Sequence, residues 1–323
     1  MRSYLLLLLS FFIATTVFAQ EHRDEFGVQT DNDSYLFNKS DKYYTNGFFL
    51  FFRRALPVKG HDSSSLANKI LGFELGQKMY NAQGGSIPAA IYVDRPFAGY
   101  LYAAGTLNLL YKNESNIKLS AQLGVVGPAS LADVTQEWIH NTFGLYKING
   151  WQFQIKNNAE LNLSMEYNKL LARASGIDIS LTSYANLGNG FTGAGAGPLL
   201  RVGNFNQLFH SQSTESNVIV SDNVKSLHKQ EIFMYYKPQI NWVAYDATIE
   251  GGLGQQHANQ NSLFNTGEVV RTPYPFVFSQ QIGAVYSAGR FTFDASVIFD
   301  TKEVKQMITA HQWGAVQGFY RFK

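Results

Sequence analysis

Apolar and polar side chains alternate at every second position in run after run of this chain, and that pattern constrains its fold more than any other feature. Residues 116–125, NIKLSAQLGV, set Ile117, Leu119, Ala121, Leu123 and Val125 on one face and Asn116, Lys118, Ser120 and Gln122 on the other. Residues 159–167 place Leu161, Leu163, Met165 and Tyr167 against Glu160, Asn162, Ser164 and Glu166. Residues 176–185 oppose Ile177, Ile179 and Leu181 to Asp178, Ser180 and Thr182. A period of two belongs to β-strands with one apolar side. Each run alone suits a half-buried strand of a water-soluble sheet as well as the wall of a transmembrane barrel.

The N-terminus bears on that choice. Arg2, an apolar run from Leu5 to Phe12 continuing to Val17, and the small-residue boundary Val17-Phe18-Ala19 read as a secretory signal peptide, residues 1–19, cleaved after Ala19. Its apolar core is short for a membrane anchor, and no later stretch reaches the roughly 18 uncharged apolar residues of a helical span. Cysteine is absent, which excludes a disulfide framework, a thiolate zinc site and a cysteine nucleophile. With 26 Lys+Arg against 24 Asp+Glu, the charge gives no case for nucleic acid. The 25 Phe and 18 Tyr, with 28 Gly and only 8 Pro, leave a β-rich exported protein or a barrel.

Twelve strands are expected, centred near Val28, Phe49, Phe73, Tyr102, Leu119, Leu163, Ile179, Leu199, Tyr235, Phe278, Phe293 and Val316. The last carries Val316, Gly318, Tyr320 and Phe322 on one face, and it resembles the closing strand of bacterial outer-membrane barrels. The fold class expected is therefore all-β, a transmembrane antiparallel β-barrel with a short helix in an extracellular loop, residues 20–323 forming one domain. An even count puts both termini in the periplasm. Short turns such as Ser287-Ala288-Gly289-Arg290 suit that side, and the longer polar segments 59–68, 81–94, 129–149, 203–228 and 251–272 suit the outer face. Within the third, residues 129–144 read as the helix, with Ser130 as N-cap, Asp133 near its positive end and Gly144 as its stop. Helical spacing puts Asp133, Gln136 or Glu137, and His140 on one side.

Few residues suggest chemistry. His61 and His257 lie in long polar loops and read as solvated surface, whereas His140 sits on a regular element beside Trp138 and Ile139 and near carboxylates able to orient it. In the stretch TDNDSYLFNKSDKYYTNG, Asp31, Asn32 and Asp33 end the first strand and residues 41–47 begin the second. Oxygen donors converging there suit a hard cation such as calcium. They suit equally an Asx-rich hairpin whose side chains cap their own turns. No GxSxG elbow, HExxH helix or GxxxxGK[ST] loop is present.

Several short motifs, in order, resemble those of the outer-membrane lipid A 3′-O-deacylase family. They are Asn32-Asp33, Tyr44-Thr45-Asn46-Gly47, Gly76-Gln77-Lys78-Met79-Tyr80, the segment Asp94-Arg95-Pro96-Phe97-Ala98-Gly99-Tyr100-Leu101-Tyr102, Val126-Gly127-Pro128, Gln136 to His140, and Gly150-Trp151-Gln152-Phe153-Gln154-Ile155. The resemblance runs from about Val28 to Lys323. It implies an integral outer-membrane barrel, expected as a monomer, that removes the 3′ acyloxyacyl chain of lipopolysaccharide at its outer rim with a divalent cation, typically calcium. It implies His140 as catalytic histidine, Asn32 and Asp33 as the Asn-Asp pair serving the metal, and Thr45 as the hydroxyl residue. Asp31 could replace Asp33, and Gln136, Asp133 and Glu137 are supporting candidates. Two departures stand out: Tyr146 occupies the position where some members carry an acid, and a family lysine lacks a counterpart near Ile87. A covalent route through Thr45 or Ser34 needs an adjacent base. The readings from other classes are a non-catalytic pore or binding scaffold and an outer-membrane phospholipase.

Overall fold

The computed structural model describes residues 22–36, 41–59, 64–220, 225–255 and 267–323. The signal segment, His61 and His257 lie outside the described residues. Twelve strands run in chain order: β1 (Asp24–Asn32), β2 (Tyr44–Ala55), β3 (Leu66–Tyr80), β4 (Ala98–Tyr111), β5 (Ser115–Val126), β6 (Asn158–Ala174), β7 (Ile177–Gly188), β8 (Phe191–Asn204), β9 (Gln230–Asp246), β10 (Phe276–Ala288), β11 (Phe291–Asp300) and β12 (His311–Phe322). Each pairs antiparallel with its neighbours in sequence, and β1 closes on β12 with Thr30 opposite Val316. All twelve expected centres fall within these strands. Closure pairs every edge, the condition for strands to cross a bilayer.

The alternation now has a direction. Leu119 and Leu123 of β5, Leu161, Leu163 and Met165 of β6, and Met234 and Ile240 of β9 are exposed, Leu123 at 67%. A continuous apolar band of this kind would be an aggregation surface in water and is a lipid face on a barrel. Trp242 and Phe276 at one end, with Tyr286, Phe291 and Tyr320 at the other, are exposed aromatics of the kind that mark the two interfaces. No helix among the described residues is long and apolar enough to cross a membrane.

Inside, side chains and an inserted segment occupy much of the lumen, leaving a polar cavity of about 180 Å³ lined by Lys118, Glu166, Lys237 and Asp294. Phe49, Phe51, Tyr100, Tyr102 and Phe319 pack together, and Gly27 leaves room for the Phe319 ring, since a Cβ there would lie 2.0 Å from it. Charges on the lumen side pair: buried Arg53 with buried Glu25 at 2.9 Å, and half-buried Glu215 with both Arg53 at 3.3 Å and Lys118 at 3.0 Å.

Glu215 belongs to the β8–β9 connection, residues 205–229, and this corrects an expectation. Strand order places residues 205–220 and 225–229 of that connection, and residues 56–59 and 64–65 of the β2–β3 connection, at the end holding both termini, not on the outer face. Asn68 is buried within β3 itself. Residues 205–219 enter the barrel, where Asn68 Nδ2 donates to the Val218 carbonyl at 2.8 Å and Asn108 Nδ2 to that of Thr214 at 2.9 Å. Phe209 and Val218 pack on Ala55, Ile70 and Leu110. A Ser/Asn/Gln-rich segment reads as solvated loop, yet its polar groups are satisfied here by a polar lumen. The opposite mouth is covered by Ile87, Ala90, Val93 and Phe97 from the β3–β4 connection with Val269. Arg95 anchors that cover, bonded to Glu303 at 3.0 Å and to Thr248 at 3.2 Å.

Candidate functional site

The helix, α1 (Ala132–Phe143), lies on the outside of the wall. Gly99 on the outward face of β4 permits the approach: a Cβ there would sit 2.0 Å from Ser130 Oγ and 2.3 Å from Ala132 Cβ. Gln77 of β3 donates from Nε2 to the Ser130 carbonyl at 2.7 Å. Ser130 is not the N-cap expected from sequence. Leu131 holds that position in left-handed conformation without a side-chain cap, and the Ser130 hydroxyl donates to the Gly127 carbonyl at 2.6 Å. Gly144, at φ 65°, ends the helix as expected, because a left-handed terminus strains any residue with a Cβ.

The polarity of α1 is inverted. Ala132, Gln136 and His140 are buried against the wall, while Val134, Trp138 and Phe143 are exposed at 59, 64 and 71%. Polar residues inward and apolar residues outward suit a helix lying in the outer leaflet rather than in water.

This arrangement carries His140 to the lipid side of the barrel, almost completely buried beneath the helix. Its Nδ1 lies 2.7 Å from the carbonyl of Tyr146. A carbonyl can only accept, so Nδ1 carries the proton and the Nε2 lone pair is free in the neutral ring. Nε2 faces Asp41 Oδ1 at 3.4 Å. The hydroxyl of Tyr146 donates to Asp41 Oδ2 and accepts from the Gly85 N–H at 3.3 Å.

The Asn-Asp pair sits at the top of β1 and just beyond it. Asn32 Oδ1 accepts from the Ser34 N–H at 2.6 Å, an Asx turn, and its Nδ2 donates to Asn46 Oδ1 at 2.6 Å. Asn46 Nδ2 reaches Thr45 Oγ1 at 3.3 Å, and Thr45 itself occupies the irregularity in β2–β3 pairing, fully buried, with Oγ1 donating to the Met79 carbonyl at 3.4 Å. Asn32 and Thr45 are thus joined through Asn46. Asp33 Oδ2 accepts from the Lys42 N–H at 3.1 Å, so Asp33 and His140 are connected through the adjacent residues Lys42 and Asp41. Burial pushes the Asp33 carboxyl up to about 8, the Asp41 carboxylate adding to the rise and the Lys42 N–H opposing it.

The supporting candidates divide. Asp133 accepts from the Val134 N–H at 2.8 Å and Glu137 is exposed, so the carboxylate beside His140 is Asp41 and neither of these. Gln136 accepts from the Trp151 indole at 2.9 Å, while its Nε2 is buried without a partner among the described residues. Asp31 points to the lumen side, accepting from Tyr44 at 2.7 Å and from Gln29 at 2.8 Å, and so stands on the opposite face of the wall from Asn32. The sequence assigns no role to Asp41 or Asn81, and Asn46 enters it only within the Tyr44-Thr45-Asn46-Gly47 motif. Asn81 is fully buried with both amide atoms unpartnered among the described residues. Asp41 is legible only as the first residue of the DKYYTNG run, since nothing in local spacing ties it to a helix between β5 and β6.

Beyond the β1–β2 connection, Tyr35 covers Gly314 of β12, whose Cβ would lie 2.8 Å from that side chain. Beside it opens a groove of about 630 Å³, lined by Asp33, Lys42, Phe278, Gln280, Phe299 and Gln312. Among the described residues no group of three or more His, Asp or Glu is arranged as a metal cage. The donor types nevertheless fit a hard cation: a buried carboxyl raised by its surroundings, beside a second carboxylate and an amide with one free lone pair.

A closed barrel with an apolar exterior, a largely occupied lumen and a histidine site on its outward-facing rim defines an integral outer-membrane protein with a lateral, membrane-facing site. The chain belongs to the family of outer membrane protein LpxR, whose profile matches residues 5–322. Among solved structures it is similar to LpxR from Salmonella typhimurium, with a TM-score of 0.72 and 18% identity over 92% of this chain and 100% of that one. The β domain of the Bordetella autotransporter BrkA gives a TM-score of 0.46 at 10% identity, covering 94% of this chain and 100% of that one. The KdgM porin gives 0.41 at 6%, covering 93% and 99%. No curated protein sequence matches the chain.

Proposed function

We propose that the protein is a lipid A 3′-O-deacylase, an ester hydrolase that removes the 3′-linked acyloxyacyl chain of lipopolysaccharide in the outer leaflet. The observation that carries this reading is the placement of His140: its ring is oriented by the Tyr146 carbonyl beneath a helix whose apolar side faces lipid. A pore would have no use for a histidine outside its wall, and this lumen is filled at both ends.

Ester hydrolysis needs an activated water and stabilisation of the oxyanion formed on attack. His140 Nε2 takes the proton of the attacking water, the water oxygen bonds to the acyl carbon, and the same proton leaves with the sugar oxygen as the ester C–O bond breaks. Asp33 and Asn32 would hold the calcium ion, the carboxylate as charged ligand and the amide through its remaining lone pair or a water. A bound calcium would supply Lewis-acid polarisation of the acyl carbonyl. Thr45, through Asn46, keeps the Asn32 side chain in place.

Mass spectrometry of lipid A and phospholipids from cells producing wild type or His140→Ala is the test. Loss of the 3′ acyloxyacyl chain with wild type only, abolished by chelator and restored by calcium, is the expected result. Unchanged lipid A alongside cleaved glycerophospholipid would replace the substrate, and unchanged lipids of both kinds would remove the enzyme reading.

A further inference from the structure

We propose that Asp41, clamped by the Tyr146 hydroxyl, is the positioning carboxylate of His140 and stabilises the imidazolium that forms when Nε2 takes a proton. The inference rests on the deacylase reading and assigns to it a residue distant in sequence from the helix.

The geometry is specific at both ring nitrogens. The Tyr146 carbonyl holds Nδ1–H at 2.7 Å, which fixes the tautomer and leaves Nε2 as the nitrogen that accepts a proton. Asp41 Oδ1 stands 3.4 Å from Nε2, longer than the roughly 2.7–2.9 Å of a formed charge-assisted bond. No water fits between the two atoms at that spacing, so the water that Nε2 deprotonates approaches beside Asp41, whose negative charge then stands next to the protonated ring. Asp41 does not choose this direction by itself, because its second oxygen is held by the Tyr146 hydroxyl, which is in turn bonded to the Gly85 N–H. The Tyr146 ring also stands edge-on to the imidazole, with centroids 5.0 Å apart. One residue therefore orients the histidine through its carbonyl and the carboxylate through its hydroxyl. Asp133 and Glu137, on the helix itself, make no contact with the ring that would serve this role.

The roles of the two side chains separate in mutants. Tyr146→Phe keeps the carbonyl and the ring but frees Asp41, and Asp41→Asn keeps a group that the Tyr146 hydroxyl can bond while removing the charge. With purified protein in lipid A micelles and calcium, Asp41→Asn lowers kcat by roughly 10- to 100-fold with KM within about twofold, and Tyr146→Phe lowers it by about tenfold. Asp41→Glu restores part of the loss. In 15N-histidine-labelled protein, Asp41→Asn moves the His140 Nε2 resonance and leaves Nδ1 in place, a readout independent of turnover. Wild-type kcat in Asp41→Asn, or an unmoved Nε2 resonance in a barrel that keeps its heat-resistant migration, overturns the proposal. If the wild type cleaves no lipid but Asp41→Asn still moves the Nε2 resonance, the deacylase reading fails while the Asp41–His140 contact stands.

Discussion

Asp33 shows how a rim residue reads its surroundings. Its folded-state carboxyl titrates near 8 because it is buried beside Asp41, against 3.8 when unperturbed. Between those values the folded state binds more protons than the unfolded one, so its contribution to stability is complete below about pH 4 and lost as pH rises to about 8. We expect amide exchange of residues 33–36 and 41–43, corrected for intrinsic rate, to quicken from pH 5 to pH 9 in chelator. Asp33→Asn, which cannot ionise, flattens that dependence, and calcium reverses it in wild type by favouring the charged form. An equal slope in Asp33→Asn would show that the loop responds to some other group.

At the scale of elements, the decisive contact is between a helix and the outside of a sheet. Helix α1 reaches the wall because β4 offers Gly99 where it crosses, with Ser130 Oγ and Ala132 Cβ inside the space a Cβ would need. Gly99→Val lifts the start of the helix and carries His140 with it. Displacement of a catalytic group by about 1 Å can cost roughly 100-fold in rate. The expected outcome is a loss of that order with heat-resistant barrel migration retained. Gly105→Val on the same strand has nothing within 4 Å of its Cβ and serves as the control. Equal activity in the two variants would mean that the helix is not held by this contact.

Taken whole, the molecule is a barrel whose interior serves stability and whose exterior serves the site. The segment 205–219 brings the half-buried Glu215 between the buried Arg53 and the mostly buried Lys118, so removing Glu215 leaves two neighbouring cations without that shared partner. Wild-type protein in planar bilayers should show no stable ion conductance. Replacement of residues 206–217 by a short Gly-Ser turn should lower the temperature at which the barrel loses heat-resistant migration, while the cover over the opposite mouth keeps the barrel non-conducting. Steady conductance by wild type would return the pore reading to consideration.

Much of this was present in the chain before any folding was considered. Alternation in Leu119–Leu123 and Leu161–Met165 set which side chains face lipid, because a strand exposes its two faces with a period of two whatever it pairs with. That rule placed the twelve strand centres, and a second local rule, the preference of a left-handed helix terminus for glycine, ended α1 at Gly144. Local rules failed where partners are remote. The polar β8–β9 connection read as solvated because sequence cannot show that a polar lumen awaits it, and Ser130 read as a cap because sequence cannot show that its hydroxyl bonds the Gly127 carbonyl. Asp31 and Asn32 are adjacent in the chain yet stand on opposite faces of the wall, one bonded to Tyr44 in the lumen and the other to Asn46 outside. What the sequence determined by itself was the periodicity, and, with the closing strand and the ordered motifs, a barrel with a histidine on a helix near its rim. Only the tertiary structure decided which carboxylate meets that histidine, because Asp41 and His140 are brought together by strand closure and by a helix laid across the wall, and neither leaves a trace in local spacing.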